Sequence, residues 1–232
     1  ASDDELWFPD ADTEVVFFLG IDNTYVFAIA GVALMMAHDG RYALPDRFVT
    51  NEFYELDNEK FSTSRGHAVW GGELAAEIPR DLIRFHLAAT SPEHQRTDFS
   101  RAALARVTEL RLVRPWRRVA AEVDRWVGRG TLPVSESSRA ASARIVARFA
   151  SAYELPRFSL NRAAETLTAQ LARLAERSVA GSDAGDFCHE VDVVLRCAAP
   201  ILVDLCAQHG ARIAAVPDTT WITPVRLPKL AD

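Results

Sequence analysis

A chain of 232 residues with 49% hydrophobic content can bury one large core or two small ones. Its net charge of −6 and pI near 5.6 exclude a general nucleic-acid coat protein, which must neutralise many phosphates with cations, but leave room for a local basic face. The longest apolar run, Tyr25 to Met36, is too short to span a bilayer, and no leader-like segment is evident, so no membrane contact is expected.

In chain order, residues 1–14 form an acidic lead-in carrying Asp3, Asp4, Glu5, Asp10, Asp12 and Glu14. Val15 to Leu19 reads as a fully buried strand that stops at Gly20. Asp22-Asn23-Thr24 can then cap a helix through Ala28, Val32 and Met35, which Gly40 ends. A second β segment runs from Arg47 to Leu56, turns at Asp57-Asn58 and releases a polar loop from Lys60 to Gly66. A strand, a crossover helix and a strand predict a parallel sheet.

From Gly71 onward the pattern is helical: 81–89, 101–127, 135–153, 159–180 and 187–209, with proline and glycine at the joints. The expected organisation is α/β over 15–95 followed by an all-α bundle over 96–213, with 214–232 as an extended tail containing Pro217, Pro224 and Pro228. Cys188, Cys197 and Cys206 lie nine residues apart in an apolar helical stretch, which reads as buried free thiols in a reducing cytoplasm. No paired-cysteine knuckle is present, so no structural metal is expected.

The segment from Asn51 to Arg65 carries the chemistry. A strand ends in a turn and delivers Lys60, Ser62, Thr63 and Ser64 on one loop, a set suited to an anionic oxygen cluster such as a triphosphate. A solvated connection has the same composition, and context separates the two. Lys60-Phe61-Ser62-Thr63-Ser64 resembles the mobile K-M-S-K-S loop of class I aminoacyl-tRNA synthetases, in the K-x-S-T-S form of archaeal-type methionyl enzymes. Ahead of it, Phe18-Leu19-Gly20-Ile21-Asp22-Asn23 resembles that family's F-x-G-K-D-N turn. Behind it, 81–89 and Thr97-Asp98-Phe99-Ser100 resemble the D-x-L-R-Y-Y-L-A and T-D-F-S blocks joining the catalytic domain to the bundle, and Leu195 to Cys206 resembles a late helix with a central proline, here Pro200.

The resemblance to methionyl-tRNA synthetases implies the C-terminal part of a class I Rossmann-like core, then an anticodon-binding-like helical bundle. It implies ATP, with Mg2+ accompanying it, and an amino acid as ligands, and formation of an aminoacyl adenylate. Lys60, Ser62 and Ser64 would be the catalytic residues, Lys60 meeting the charge on the departing pyrophosphate. Gly20, Asp22, Asn23, Tyr54 and Thr63 would hold ATP: Gly20 allows close approach of the ribose, Asp22 accepts from its hydroxyls, and backbone near Tyr54 reads the adenine. For Asp22 a helix cap is the alternative.

Three departures from the family pattern bear on function. No H-I-G-H motif exists in this sequence; His38-Asp39-Gly40 reads as a turn and Gly66-His67 as loop. The catalytic centre is therefore expected to need the preceding half of the core, as part of another segment or a separate chain. Val26 and Phe27 stand where the family offers an aromatic residue and a histidine to the methionine side chain, and Ile21 replaces the lysine of the turn. Arg114 to Ala120 stands where the family's L-G-N-F-V-N-R block reads the anticodon, and Pro115 is expected to break that helix. Arginines interleaved with Trp116 and Trp126 over 101–129 suit RNA, or a solvated face over buried indoles. Three functions follow: a divergent, tRNA-independent ligase, such as one joining an amino acid to N-hydroxylysine on the way to a hydrazine; a methionine–tRNA ligase seen in part; and a non-catalytic RNA-binding or scaffold module.

Overall fold

The structure is a computed structural model describing residues 7–8, 12–210 and 219–230. It resolves into two compact units, one of residues 1–61 with 92–98, the other of 62–91 with 99–232. The chain therefore crosses between units three times, where the sequence suggests a single passage between 95 and 96.

In the first unit, β1 (Val16–Gly20) pairs in parallel with β2 (Arg47–Asn51), from Val16 opposite Arg47 to Gly20 opposite Asn51. The Asp46 carboxylate accepts from the Val15 amide at 2.8 Å and Arg47 pairs with Glu14 at 2.7 Å, fixing that register at its open end. The crossover begins with a 3-10 turn at Ile21–Asn23, widens to a π-helix at Tyr25–Gly31, and finishes as α1 (Val32–Met36). Asp39 and Gly40 take left-handed conformations just beyond it, which ends the helix as its glycine suggested.

Two expectations fail here. No side chain caps this helix, and Asp22 lies inside the 3-10 turn. Nor is β1 fully buried. Successive strand residues face opposite sides, so Phe17 meets Trp7, Phe27 and Phe48 edge-on at 6.5, 6.3 and 5.6 Å, while Phe18 stays 56% exposed. The second β segment also divides. Between Asn51 and Tyr54 the backbone turns to other partners, Glu52 donating to the Pro92 carbonyl at 2.7 Å. It resumes as β3 (Tyr54–Leu56) and hairpins into β4 (Glu59–Lys60). A second sheet runs in the order β4-β3-β5, with β5 at Thr97–Phe99.

The second unit is helical. α2 (Gly71–Glu77), α3 (Arg80–Ala89), α4 (Arg101–Thr108), α5 (Arg114–Asp124), α6 (Glu136–Tyr153), α7 (Leu160–Ala175), α8 (Ala184–Ala198) and α9 (Val203–His209) follow in order. Ser100, Ser135 and Ser159 each accept a backbone amide three residues on, at 3.1 Å, and start α4, α6 and α7. α7 packs on α3, α5 and α6, and the core centres on Phe85, Leu112, Phe149, Leu167, Leu171, Phe187 and Leu195. The buried Asp81 carboxylate accepts from the amides of Asp204 and Leu205 at 3.1 and 2.8 Å, tying α3 to the restart of the chain after Pro200.

Pro115 does not break its helix. Residues Glu109–Val113 adopt π-helical turns and Arg114 bonds back to the Glu109 carbonyl, so α5 begins with Pro115 in its first turn, where a missing N–H costs little. The late helix does divide at Pro200, into α8 and α9.

Of the tail, 214–218 and 231–232 lie outside the described residues, as do Ile213, Pro217, Asp3, Asp4, Glu5 and Asp10. The described part is not merely draped over the surface. β7 (Trp221–Ile222) pairs antiparallel with β6 (Leu132–Pro133), Trp116 donates its indole N–H to the Pro228 carbonyl at 3.1 Å, and Leu227 and Leu230 are buried. α8 reaches that ribbon because residue 185 is glycine: a Cβ there would lie 1.9 Å from the Pro133 carbonyl oxygen.

Candidate functional site

The turn after β1 holds three of the residues singled out in the sequence. Gly20 has an ordinary extended backbone (φ −69°, ψ 149°), so its requirement is space: a Cβ would sit 2.8 Å from the Asp22 carboxylate and 3.8 Å from the Asn23 amide nitrogen. Asn23 donates from Nδ2 to Asp22 Oδ1 at 3.2 Å, and both side chains are exposed. Glycine, carboxylate and carboxamide thus gather at the carboxyl end of a parallel strand, the edge at which open α/β sheets bind ligands.

Val26 and Phe27 lie on the π-helix that follows. Both are exposed, Val26 at 55% and Phe27 at 46%, and the Phe27 ring also has an edge contact with Phe17. Tyr54 is half-buried on β3 and Lys60 ends β4, exposed. Lys60 makes no ion pair among the described residues; the register partner across the hairpin, Glu55, meets Arg96 at 3.5 Å instead. Arg96 and Asp98, which accepts from the Asn58 amide at 2.6 Å, enter this region without having been singled out as site residues. Asp98 belongs to the T-D-F-S block, which reads in the sequence only as a junction, and Arg96 lies just ahead of it.

Between Phe61 and Ser62 the chain passes into the second unit, so the loop's hydroxyls are separated from Lys60 by the unit boundary. Ser62 exchanges backbone hydrogen bonds with His67 at 2.8 and 2.9 Å, closing a tight turn in which Ser62 and Ser64 hydroxyls lie 3.3 Å apart and Thr63 is exposed. Gly66 supplies the left-handed residue of that turn, with φ +69°.

Other titratable groups belong to the interior of the bundle. Burial pushes Cys188 and Cys197 up to about 11 and Cys206 to about 12, and all three are free thiols, Cys197 only half-buried. Burial lowers His86, whose ring nitrogens have no hydrogen-bond partner. Among the described residues no group of three or more His, Cys, Asp or Glu could hold a metal ion, and no helix is long and apolar enough to cross a membrane.

Comparison with known proteins decides the family. Residues 3–121, about half of the chain, match the family model described as tRNA synthetases class I (M). The chain belongs to the methionyl-tRNA synthetase family. Relatives named methionine–tRNA ligase include those of Bacteroides fragilis, 40% identical over 98 residues, and Salinibacter ruber, 41% over 99; each alignment covers about two fifths of this chain and 14% of the relative. Among solved structures, a Mycobacterium tuberculosis methionyl-tRNA synthetase in complex with methionyl-adenylate superposes with a TM-score of 0.72 at 18% identity, covering 95% of this chain and 52% of that one. The apo form of the same protein gives 0.68 at 17%. The chain therefore spans about half the length of those solved structures.

That likeness extends the shared fold through the bundle, past the residues where sequence identity is detected: a class I α/β portion followed by helices. The synthetase-like bundle here carries exposed arginines on a helix that passes through a π-helical stretch. Of these, Arg114 is tied to Glu109, Arg125 to Glu122, and Arg101 to Glu77. Trp116 and Trp126 are buried beneath, Trp126 with Arg125 and Arg129 over its ring at 5.4 and 5.2 Å, so neither indole is presented for stacking on a base.

Proposed function

We propose that this chain supplies part of a centre that activates an amino acid with ATP, forming an aminoacyl adenylate. The observation that carries this reading is the presence, within one unit, of the Gly20–Asn23 turn at a strand's carboxyl end and of a Lys60 ammonium that makes no ion pair among the described residues. The exposed Asp22 carboxylate is free to accept from ribose hydroxyls, and the gap left by Gly20 keeps that carboxylate folded close to the backbone. An amino-acid carboxylate oxygen attacks the α-phosphorus and pyrophosphate departs. Lys60 stabilises the charge gathering on that leaving group. Mg2+ would arrive on the phosphates, since no carboxylate cluster among the described residues offers it ligands.

The proposed centre also needs the H-I-G-H element, which this sequence does not contain, from another part of the protein or a second chain. Tyr25, Val26, Ile29, Leu34 and Met36 on the crossover are exposed apolar residues available to such a neighbour. For the acceptor, the altered Val26, Phe27 and Arg114–Ala120 positions support a divergent, tRNA-independent ligase, for which a hydroxylated amino acid such as N-hydroxylysine is the proposed nucleophile. The relatives' name supports a second reading, methionine as the amino acid and tRNA as the acceptor.

The test is ATP–pyrophosphate exchange by the full-length protein with each amino acid in turn, with and without tRNA. Exchange with a non-methionine substrate and no effect of tRNA supports the divergent ligase. Methionine-dependent exchange and charging of tRNA supports the second reading. No exchange with any amino acid, by folded protein that also fails to bind ATP, removes the activating role and leaves the scaffold function.

A further inference from the structure

We propose that Asp98 is a positioning residue for Lys60, a role that rests on the reading of Lys60 given above. The β3–β4 hairpin closes with two residues, Asp57 and Asn58, between the register pairs Leu56–Glu59 and Glu55–Lys60. Both have left-handed backbones, φ 52° and 64°, the mirror-image turn whose twist suits a hairpin. Such a conformation is strained for residues with a Cβ, though least so for Asp and Asn. The amide of the second loop residue has no partner within a turn of this kind, and the Asp98 carboxylate accepts it at 2.6 Å from 40 residues along the chain. Asp98 lies on β5, on the far side of β3 from β4. One carboxylate therefore fastens the hairpin tip two residues before Lys60.

A second contact from the same segment acts on the charge. Glu55 is Lys60's partner across the hairpin, and opposite charges so placed attract. Arg96 engages the Glu55 carboxylate at 3.5 Å, and Lys60 makes no ion pair among the described residues. Residues 57–60 are all exposed, so releasing the latch uncovers no core. Its effect falls on where the ammonium is held, and a catalytic group displaced by ~1 Å can cost on the order of 10²-fold in rate.

The experiment combines two readouts on the full-length protein: amide hydrogen exchange at Asn58 by NMR, and ATP–pyrophosphate exchange kinetics. Asp98→Ala is expected to abolish protection of the Asn58 amide and lower kcat about tenfold with the amino-acid KM unchanged. Asp98→Asn, which keeps an acceptor oxygen, is expected to restore much of both and provides a folded comparison should the alanine variant not fold. In a Lys60→Ala background Asp98→Ala should add no further loss, which a merely structural residue would not satisfy. An unprotected Asn58 amide in the parent, a loss that appears in KM, or additive losses in the double variant would each overturn the proposal. If the parent shows no pyrophosphate exchange but Asp98→Ala still releases the Asn58 amide, the latch is real as structure, while the reading of Lys60 and this positioning role fall together.

Discussion

Gly20→Ala separates the proposed nucleotide role of the β1 turn from any structural one. The backbone at residue 20 is extended with negative φ, a conformation alanine adopts freely, and removing a glycine there should stabilise by about 0.4–1 kcal/mol through the unfolded chain. Against this stands the added Cβ, 2.8 Å from Asp22 Oδ1. That atom ends a flexible, exposed side chain, so the carboxylate swings aside and the backbone stays. The expected stability change is within about 1 kcal/mol of zero, a shift of at most a few degrees in Tm. The effect on the proposed function is different, because the displaced carboxylate would no longer meet the ribose. Hydrogen bonds to a charged group contribute about 1.5–3 kcal/mol, so ATP KM in pyrophosphate exchange should rise roughly 10- to 100-fold. The assay pairs thermal unfolding with exchange kinetics at varied ATP. A large fall in Tm with unchanged ATP KM would refute the reasoning, because it would make the glycine a packing residue.

Lys60→Ala should lower the rate of exchange by about 10²-fold with no measurable change in unfolding midpoint, since the side chain is exposed and makes no ion pair among the described residues; an unchanged rate removes Lys60 from the mechanism. His86→Phe should raise stability by about 1–3 kcal/mol, as it removes a buried imidazole with unpartnered nitrogens beside Phe99; denaturant titration reports it. Because burial lowers His86 in the folded state, the unfolded chain takes up the proton first, so stability is lost as pH falls below about 6.5, and that slope should be shallower in His86→Phe. His189, lowered by burial in the same sense, keeps part of the slope. Gly185→Ala should cost more than about 3 kcal/mol in unfolding titrations, because its Cβ would collide with the Pro133 backbone and cannot be relieved by a side-chain rotation; a neutral result would show that the α8–β6 contact is looser than described.

Much of the order of elements was legible locally. Helix starts near 101, 135 and 159 and the turn at Asp57-Asn58 are readable from the sequence, and the structure supplies their local cause: Ser100, Ser135 and Ser159 cap the helices, and Asp57 and Asn58 take left-handed conformations. Pro115 misled for a comparable local reason: a proline within a helical pattern signals a break, but the preceding π-helical turn absorbs it, and a register change of that kind leaves no trace in periodicity. β1 misled because an unbroken apolar run does not say which of its faces will be covered, and Phe18 stays 56% exposed. At the candidate site the motifs identified Gly20, Asp22 and Lys60 as residues, but nothing in their spacing pointed to Arg96 or Asp98.

The sequence by itself determined the family and the turn at Asp57-Asn58, since each resides in a short run of residues whose order is their meaning. Tertiary structure decided which groups meet: Asp98 on the Asn58 amide, Arg96 on Glu55, Asp81 on the start of α9, Pro133 against Gly185. These partners lie tens of residues apart or more, and only the pairing of strands and the packing of helices brings them within hydrogen-bond or van der Waals distance.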